Sequence, residues 1–237
     1  RAQAGYFGLC SFLDDNVGKV LAALGHAGLS DNTRVVYTSD HGDNLGARGL
    51  WGKSTMYEES VGVPLIAAGP GFEPGKRIST PANLLDIYPL IMETAGEASS
   101  ATVTTAHPGI SLTRLGQGQD ASRVTFSEYH GMGSKAAAYM VHRGRWKLVH
   151  HAHSPPQLFD LASDPEELND LAHDGNAQPA LAELTAELKR ICDPVEISRR
   201  AKADQQTLLE KVGGKDFVIE RGDLGFSPPP GVAPQFN

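Results

Sequence analysis

A carboxylate and an imidazole follow an apolar segment near the start of the chain. Asp40 and His41 follow residues 34–38 after a single serine, and this run is rich in β-branched and aromatic side chains that predict a buried strand. Ligands of open α/β sheets bind just beyond the carboxyl ends of the strands. The two side chains are therefore candidate ligands of a divalent cation.

A glycine-rich segment continues from this pair and ends at a lysine. It has too little apolar content for a core element and too much glycine for a helix, which predicts a surface loop. The segment ends at Lys53, whose ammonium is a point charge on a flexible stem. The plainer alternatives are a turn with a solvated His41 and an ordinary exposed lysine.

Periodic apolar residues predict the elements that must position this segment. A helix is expected over residues 2–24, a second strand over 61–68, and a helix over 87–95 with Asp86 as its N-cap. We expect one helix face to be part of the core. Its residues are Tyr6, Leu9, Leu13, Val17, Leu21 and Leu24.

A second unit follows a segment rich in Ala, Ser, Thr and Gly at residues 97–119. Four short strands are expected there, at 123–129, 137–142, 145–150 and 157–161, and they predict an antiparallel sheet. Two helices should follow, up to about residue 212, and then an extended tail with three consecutive prolines, 228–230.

The predicted fold class is α/β. Residues 1–118 would form the core sheet with flanking helices, and residues 119–237 a smaller α+β unit with an antiparallel sheet, helices and the tail.

Composition excludes several classes of protein. The 237 residues carry a net charge of -7, which argues against a nucleic-acid binder, because such proteins present a basic face. No apolar run is long enough to span a bilayer. The first residues resemble no signal peptide, which leaves both the cytoplasm and the periplasm open as the compartment.

Several short motifs, in this order and spacing, resemble the sulfatase family of the alkaline-phosphatase superfamily. The main ones are Thr-Ser-Asp-His-Gly-Asp at 38–43, Gly-Leu-Trp-Gly-Lys at 49–53, Tyr-Glu at 57–58 and Val-Pro-Leu-Ile at 63–66. Residues 143–147 and 157–166 are similar to the choline-sulfatase-like branch. The resemblance implies an alkaline-phosphatase-like sheet and a hydrolase of sulfate monoesters.

The resemblance also implies roles for individual residues. Asp40 and His41 would bind the divalent cation of the family, usually calcium and in some relatives manganese. Lys53 would be the catalytic lysine that contacts the sulfate. Cation and ammonium together would stabilise the charge that develops on the departing sulfuryl group.

The chain departs from the family at the nucleophile. The family uses a formylglycine made in a Cys/Ser-x-Pro-x-Arg motif upstream of the Asp-His strand, and this motif does not occur here. Cys192-Asp193-Pro194 is a near miss with Glu196 where the motif needs arginine, and we interpret it as chance. The chain thus resembles the carboxy-terminal half of a sulfatase, a fragment whose partner is the missing amino-terminal half and which is incomplete alone.

Two further groups of polar residues remain open. His130, after the third strand, is a candidate substrate ligand that would select the alcohol, although a surface histidine is the more common reading. Arg143, Arg145 and Lys147 alternate on a predicted strand and would point to one face, which is more often a solvated face than an anion site.

Three functions compete at this point. The first is a sulfuric ester hydrolase acting on a small sulfate ester. The second is a phosphonate monoester or phosphodiester hydrolase of the same superfamily, which uses a similar Asp-His pair and lysine loop. The third is a non-catalytic remnant or binding subunit, and the tail could also support a homo-oligomer.

Overall fold

The computed structural model of the chain describes residues 2–97, 108–118, 120, 122–131 and 134–222. Its helices are α1 (Ala2–His26), α2 (Glu58–Val61), α3 (Ile87–Thr94), α4 (Leu112–Leu115), α5 (Gln178–Ile191), α6 (Pro194–Lys211) and α7 (Gly214–Arg221). Its strands are β1 (Val35–Thr38), β2 (Leu65–Ala68), β3 (Thr125–Tyr129), β4 (Ala138–Arg143), β5 (Trp146–His151) and β6 (Gln157–Asp160). The proline tail lies outside the described residues, and so do 98–107 and 119 of the 97–119 segment. No helix in these ranges is both long and apolar enough to cross a membrane.

The first sheet is an antiparallel pair, in which β1 runs alongside β2 from Val35 opposite Ala68 to Thr38 opposite Leu65. A small cluster around the buried Leu90 and Leu112 packs against this pair. The second strand is shorter than predicted. Residues 58–61 form the helical turn α2, so the strand begins only after Pro64.

Helix α1 forms as predicted, but the prediction that its apolar face is buried is wrong for this chain. None of its residues is buried, and Leu9 and Phe12 are both 66% exposed. Within the described ranges no element covers this face. An amphipathic face of this size needs a packing partner, because exposed apolar patches on monomers are usually small.

The second sheet is an antiparallel meander in the order β3-β4-β5-β6, as the sequence predicted. One face carries Tyr139 and Leu148, which pack against Leu184 and Leu188 of α5. The opposite face carries Met140, Val149 and Phe159, which pack around Met56 from the loop that follows β1. The sheet therefore has a core on both faces, and one of these cores receives the lysine loop.

Asp86 joins the two parts of the chain. Its side chain is fully buried and does not cap α3, contrary to the prediction. Its oxygens accept instead from the backbone N–H groups of Asn83 and Ile110 and from both terminal nitrogens of Arg123, at 2.6–2.8 Å. Asn83 caps the 3-10 turn at Leu84–Asp86 that leads into α3, and its side chain accepts from Leu85 N. These four donors replace the water that the carboxylate loses on burial, so the charge can be buried where the two sequence regions meet.

Asp86→Asn is expected to lower the free energy of unfolding by about 3 kcal/mol, because the amide would turn donors towards the buried Arg123 guanidinium. Urea denaturation measures this change. Asp15→Asn is the control, since its ion pair with Lys19 is exposed on α1. Equal stability of the two variants would contradict the role assigned to Asp86.

Asp160 gives the second sheet a defined response to acid. Hydrogen bonds from the Arg145 guanidinium lower the pKa of its carboxyl to about 2; desolvation opposes this, and Ser163 and the Ala162 N–H assist it. Since the folded-state pKa lies below the ordinary value of 3.8, the stabilisation is present above that value and is lost as pH falls through about 2. The stability difference between the protein and Asp160→Asn should therefore be complete near neutral pH and vanish in strong acid. A difference independent of pH in urea titrations would refute this assignment.

Candidate functional site

The Asp40–His41 pair lies where β1 ends. The Asp40 side chain is 82% exposed, and its Oδ1 accepts from the His41 N–H at 3.0 Å. Desolvation acts to raise the pKa of this carboxyl, but hydrogen bonds from His41 N–H and the Ser39 hydroxyl outweigh it and hold the pKa below its usual value. Asp40 is therefore an accessible anion at the strand end.

His41 is oriented by its own backbone neighbour. Its Nδ1 lies 2.9 Å from the Gly42 carbonyl oxygen, which can only accept, so Nδ1 carries the proton. The lone pair of Nε2 then faces outward. Nε2 is 3.3 Å from Asp40 Oδ2 and 2.8 Å from Lys53 Nζ, which donates to it. The three predicted residues Asp40, His41 and Lys53 thus meet at one atom.

The loop that carries Lys53 is tied to the strand end by hydrogen bonds. Asn44 is buried; its backbone N–H and its side-chain amide both donate to the Gly52 carbonyl, at 2.8 and 2.6 Å. The Thr55 hydroxyl donates to the Asn44 side-chain oxygen at 3.1 Å. Gly52 has a φ of 78°, a left-handed conformation that favours glycine. The lysine is therefore held at the end of a closed loop.

Helix α2 supports both halves of the site through Ser60, which is 2% exposed. Its carbonyl accepts the Gly42 N–H at 2.8 Å, and its hydroxyl donates to the Lys53 carbonyl. Gly42 packs directly on this helix, since a Cβ there would lie 2.0 Å from the Glu59 carbonyl oxygen. One buried serine thus connects the acid-imidazole segment with the lysine segment.

The three residues open into a cavity of about 1170 Å³ that lies between the first sheet and β3–β4. Lys76 and Arg77 add positive charge to its lining. The second sheet contributes the cavity residues Thr125, Ser127, Glu128, Tyr129, Met140 and His142. Burial lowers the pKa of His142, and the nearby Glu58 carboxylate partly offsets this. The lining as a whole is of mixed charge, because it also holds the carboxylates of Asp40, Glu58, Glu73 and Glu128.

His130 is not brought to this cavity. Its ring packs edge-on against Tyr139, 5.7 Å between ring centroids, and its Nε2 lies 3.0 Å from Glu128 Oε2. Glu128 and Tyr129, the residues just before it, line the cavity instead. The alternation of side chains along β3, with Thr125, Ser127 and Tyr129 on one face, was the signal that could have identified this wall.

The structure corrects the prediction for the basic residues of the hairpin. Lys147 is completely buried and pairs with Glu58 at 2.7 Å and Glu167 at 2.8 Å. Arg143 and Arg145 do lie at the surface, where they pair with Glu183 and Asp160. Sequence reasoning missed the Lys147 cluster, because its two carboxylates lie 89 and 20 residues away along the chain.

Among the described residues, Asp40 and His41 are not joined by a third His, Cys, Asp or Glu ligand. Across the described ranges no group of three or more His, Cys, Asp or Glu side chains could together hold a metal ion. The acid and the imidazole are a pair of donors, fewer than the six to eight oxygens that calcium takes.

Comparison with known proteins finds similarity to sulfatases and to a phosphonate monoester hydrolase. Residues 2–97 match the family model Sulfatase. A choline-sulfatase from Rhizobium meliloti (strain 1021) is 39% identical over 186 residues, which are 78% of this chain and 36% of that protein.

Two solved structures share the fold of the chain. A 2-O GAG sulfatase superposes with a TM-score of 0.65 at 29% identity, over 82% of this chain and 42% of that one. The phosphonate monoester hydrolase SpPMH from Silicibacter pomeroyi gives 0.66 at 32% identity, over 78% and 39%. This chain therefore spans less than half the length of each of these relatives. From the motif order, the family match and the shared fold, we conclude that the chain belongs to the sulfatase family of the alkaline-phosphatase superfamily.

Proposed function

We propose that the protein is a sulfuric ester hydrolase and that this chain supplies the lysine and part of the metal site for the sulfate group. The observation that carries this proposal is the meeting of Lys53 Nζ and the Asp40 carboxylate at His41 Nε2, inside a cavity large enough for a small ester. Hydrolysis of a sulfate monoester develops negative charge on the departing oxygens. A preorganised ammonium stabilises that charge better than water does.

Asp40 and His41 would hold a divalent cation. The donor types fit one, because the Nδ1–H bond to Gly42 directs the Nε2 lone pair outward, beside a carboxylate whose pKa is already lowered. Lys53 Nζ now donates to that lone pair, so a cation at Nε2 would replace the ammonium there and leave it to contact the sulfate. When bound, the cation would polarise a sulfate oxygen as a Lewis acid. Calcium is the first expectation from the family, and the imidazole donor is also compatible with manganese.

The remaining ligands and the nucleophile would come from a complementary part of a sulfatase domain, on the same protein or on a separate chain. Two features support a packing partner of this kind. The apolar face of α1 is exposed, and among the described strands β1 pairs only with β2, which leaves its other edge open. Ile66 on β2 is 62% exposed, so the first sheet also presents apolar surface.

The chain binds a divalent cation through Asp40 if this proposal is correct. Manganese chloride at ten times its dissociation constant should stabilise the protein by about 1.4 kcal/mol, seen as a rise in Tm by scanning calorimetry. Asp40→Asn should abolish the rise, whereas Asp15→Asn on α1 should retain it. A rise that survives in Asp40→Asn would place the metal elsewhere.

Loss of the Lys53 ammonium should remove most of the activity. The test co-expresses this chain with the part of the Rhizobium meliloti choline-sulfatase that lies outside the matched region, and follows hydrolysis of an aryl sulfate. Lys53→Met should lower kcat/KM by about 100-fold, the scale observed when one electrostatic donor is removed. Lys76→Met is the matched control, a cavity lysine paired with Glu73, and should stay within about threefold of the unmodified protein. Equal losses in the two variants would reject the role of Lys53.

A phosphonate monoester hydrolase is the second candidate, favoured by the structural match to SpPMH. The same complex assayed with an aryl phosphonate monoester separates the two. A higher kcat/KM on the aryl sulfate supports the sulfatase, and a higher value on the phosphonate overturns it. A non-catalytic binding subunit predicts neither activity and no metal-dependent change in Tm.

A further inference from the structure

The Lys53 loop rests on a buried ion cluster that the proposed chemistry does not use. Lys147 lies on β5 with its side chain completely buried, and its ammonium lies 2.7 Å from Glu58 Oε1 and 2.8 Å from Glu167 Oε1. The Glu167 side chain is also completely buried, and its other oxygen accepts the backbone N–H of Glu58 at 2.6 Å. Two carboxylates thus share one cation. One is the side chain of Glu58, the first residue of α2, and the other binds the backbone N–H of that residue.

Helix α2 transmits this attachment to the site. Glu58 begins the helix and Ser60 follows two residues later in the same turn. The Ser60 carbonyl accepts the Gly42 N–H, and the Ser60 hydroxyl donates to the Lys53 carbonyl. The helix has only four residues, so it cannot move at Glu58 without moving at Ser60. The contacts run from Lys147 through α2 to both sides of the His41–Lys53 hydrogen bond.

We propose that Lys147 is a positioning residue: by holding Glu58 and Glu167 it fixes α2, and α2 fixes the backbone at Gly42 and Lys53. The second sheet thereby sets the distance between Lys53 and the Asp40–His41 pair. This inference rests on the proposed function, which gives Lys53 its role at the sulfate. The effect of Lys147 on α2 and on the Gly42 backbone can be measured without any assay of activity.

Removal of the ammonium should loosen α2 selectively. In Lys147→Met, Glu58 and Glu167 lose their shared cation, and a fully buried carboxylate without a partner must move or take up a proton. Glu58 is 40% exposed and can turn towards the cavity. The hydrogen bond from Gly42 to Ser60 should then open more often than the ladder between β4 and β5.

Amide hydrogen exchange of the full chain, followed by NMR, measures this opening. In Lys147→Met, exchange at Gly42 should accelerate at least about tenfold relative to the Val141 and Leu148 amides, which lie opposite each other on β4 and β5. The matched control is Arg123→Met, which also removes a largely buried cation from a carboxylate, Asp86; in the part of the chain that the structure describes, Arg123 makes no hydrogen bond or ion pair with α2. The ratio of Gly42 to sheet exchange should be unchanged in that control. The same ratio in both variants would overturn the proposal, because the effect would then be general destabilisation.

Glu167→Gln provides a second variant if Lys147→Met does not fold. It keeps the side-chain volume and an acceptor for the Glu58 N–H but weakens the bond to Lys147, and it should accelerate Gly42 exchange in the same selective way. An unchanged ratio in Glu167→Gln would likewise reject the inference.

Calorimetric titration with inorganic sulfate separates this inference from the proposed function. If both are correct, the unmodified chain binds sulfate and Lys147→Met binds it about tenfold more weakly. Selective Gly42 exchange without sulfate binding in the unmodified chain would support the positioning role and contradict the proposed function. Equal sulfate binding in both proteins with unchanged Gly42 exchange would support the proposed function and contradict the positioning role of Lys147.

Discussion

The candidate site depends on the close packing of one short helix against one glycine. Gly42 follows His41 directly, and its backbone lies so near α2 that no side chain would fit between them. This contact allows Ser60 to bind Gly42 with its carbonyl and Lys53 with its hydroxyl. This arrangement holds the Lys53 ammonium and the His41 ring in place for the 2.8 Å hydrogen bond between Nζ and Nε2.

The second sheet is part of the same arrangement. The loop carrying Lys53 contacts it through three kinds of interaction: the buried Met56 in one of its cores, the ring of Tyr57 against Phe159 at 6.0 Å, and the ion cluster of Lys147. Asp86 and Arg123 make a separate connection between the two sequence regions. The division at residue 118 stays a prediction, but these contacts make the cavity a joint product of both regions.

The local part of this structure could be predicted from the sequence, and the long-range part could not. The strand ending at Asp40, the glycine-rich loop and the four-strand meander each have a signal within a few neighbouring residues, and all three are present. The burial of Lys147 has no such signal, because an alternating basic stretch also describes a solvated strand. The same limit applies to Asp86, which is expected to cap the next helix but binds Arg123, 37 residues away. The α1 face was predicted from a correct helical period, yet no described element of this chain covers it.

The central claim is that Lys53 and the Asp40–His41 pair face one anion, and sulfate titration monitored at the side-chain nitrogens tests it most directly. With 15N-labelled protein in the presence of manganese or calcium, the account predicts saturable changes of the Lys53 Nζ and His41 Nε2 signals at a single dissociation constant. Changes confined to Lys76 and Arg77, with Lys53 and His41 unaffected, would show that sulfate binds elsewhere in the cavity and would contradict the account.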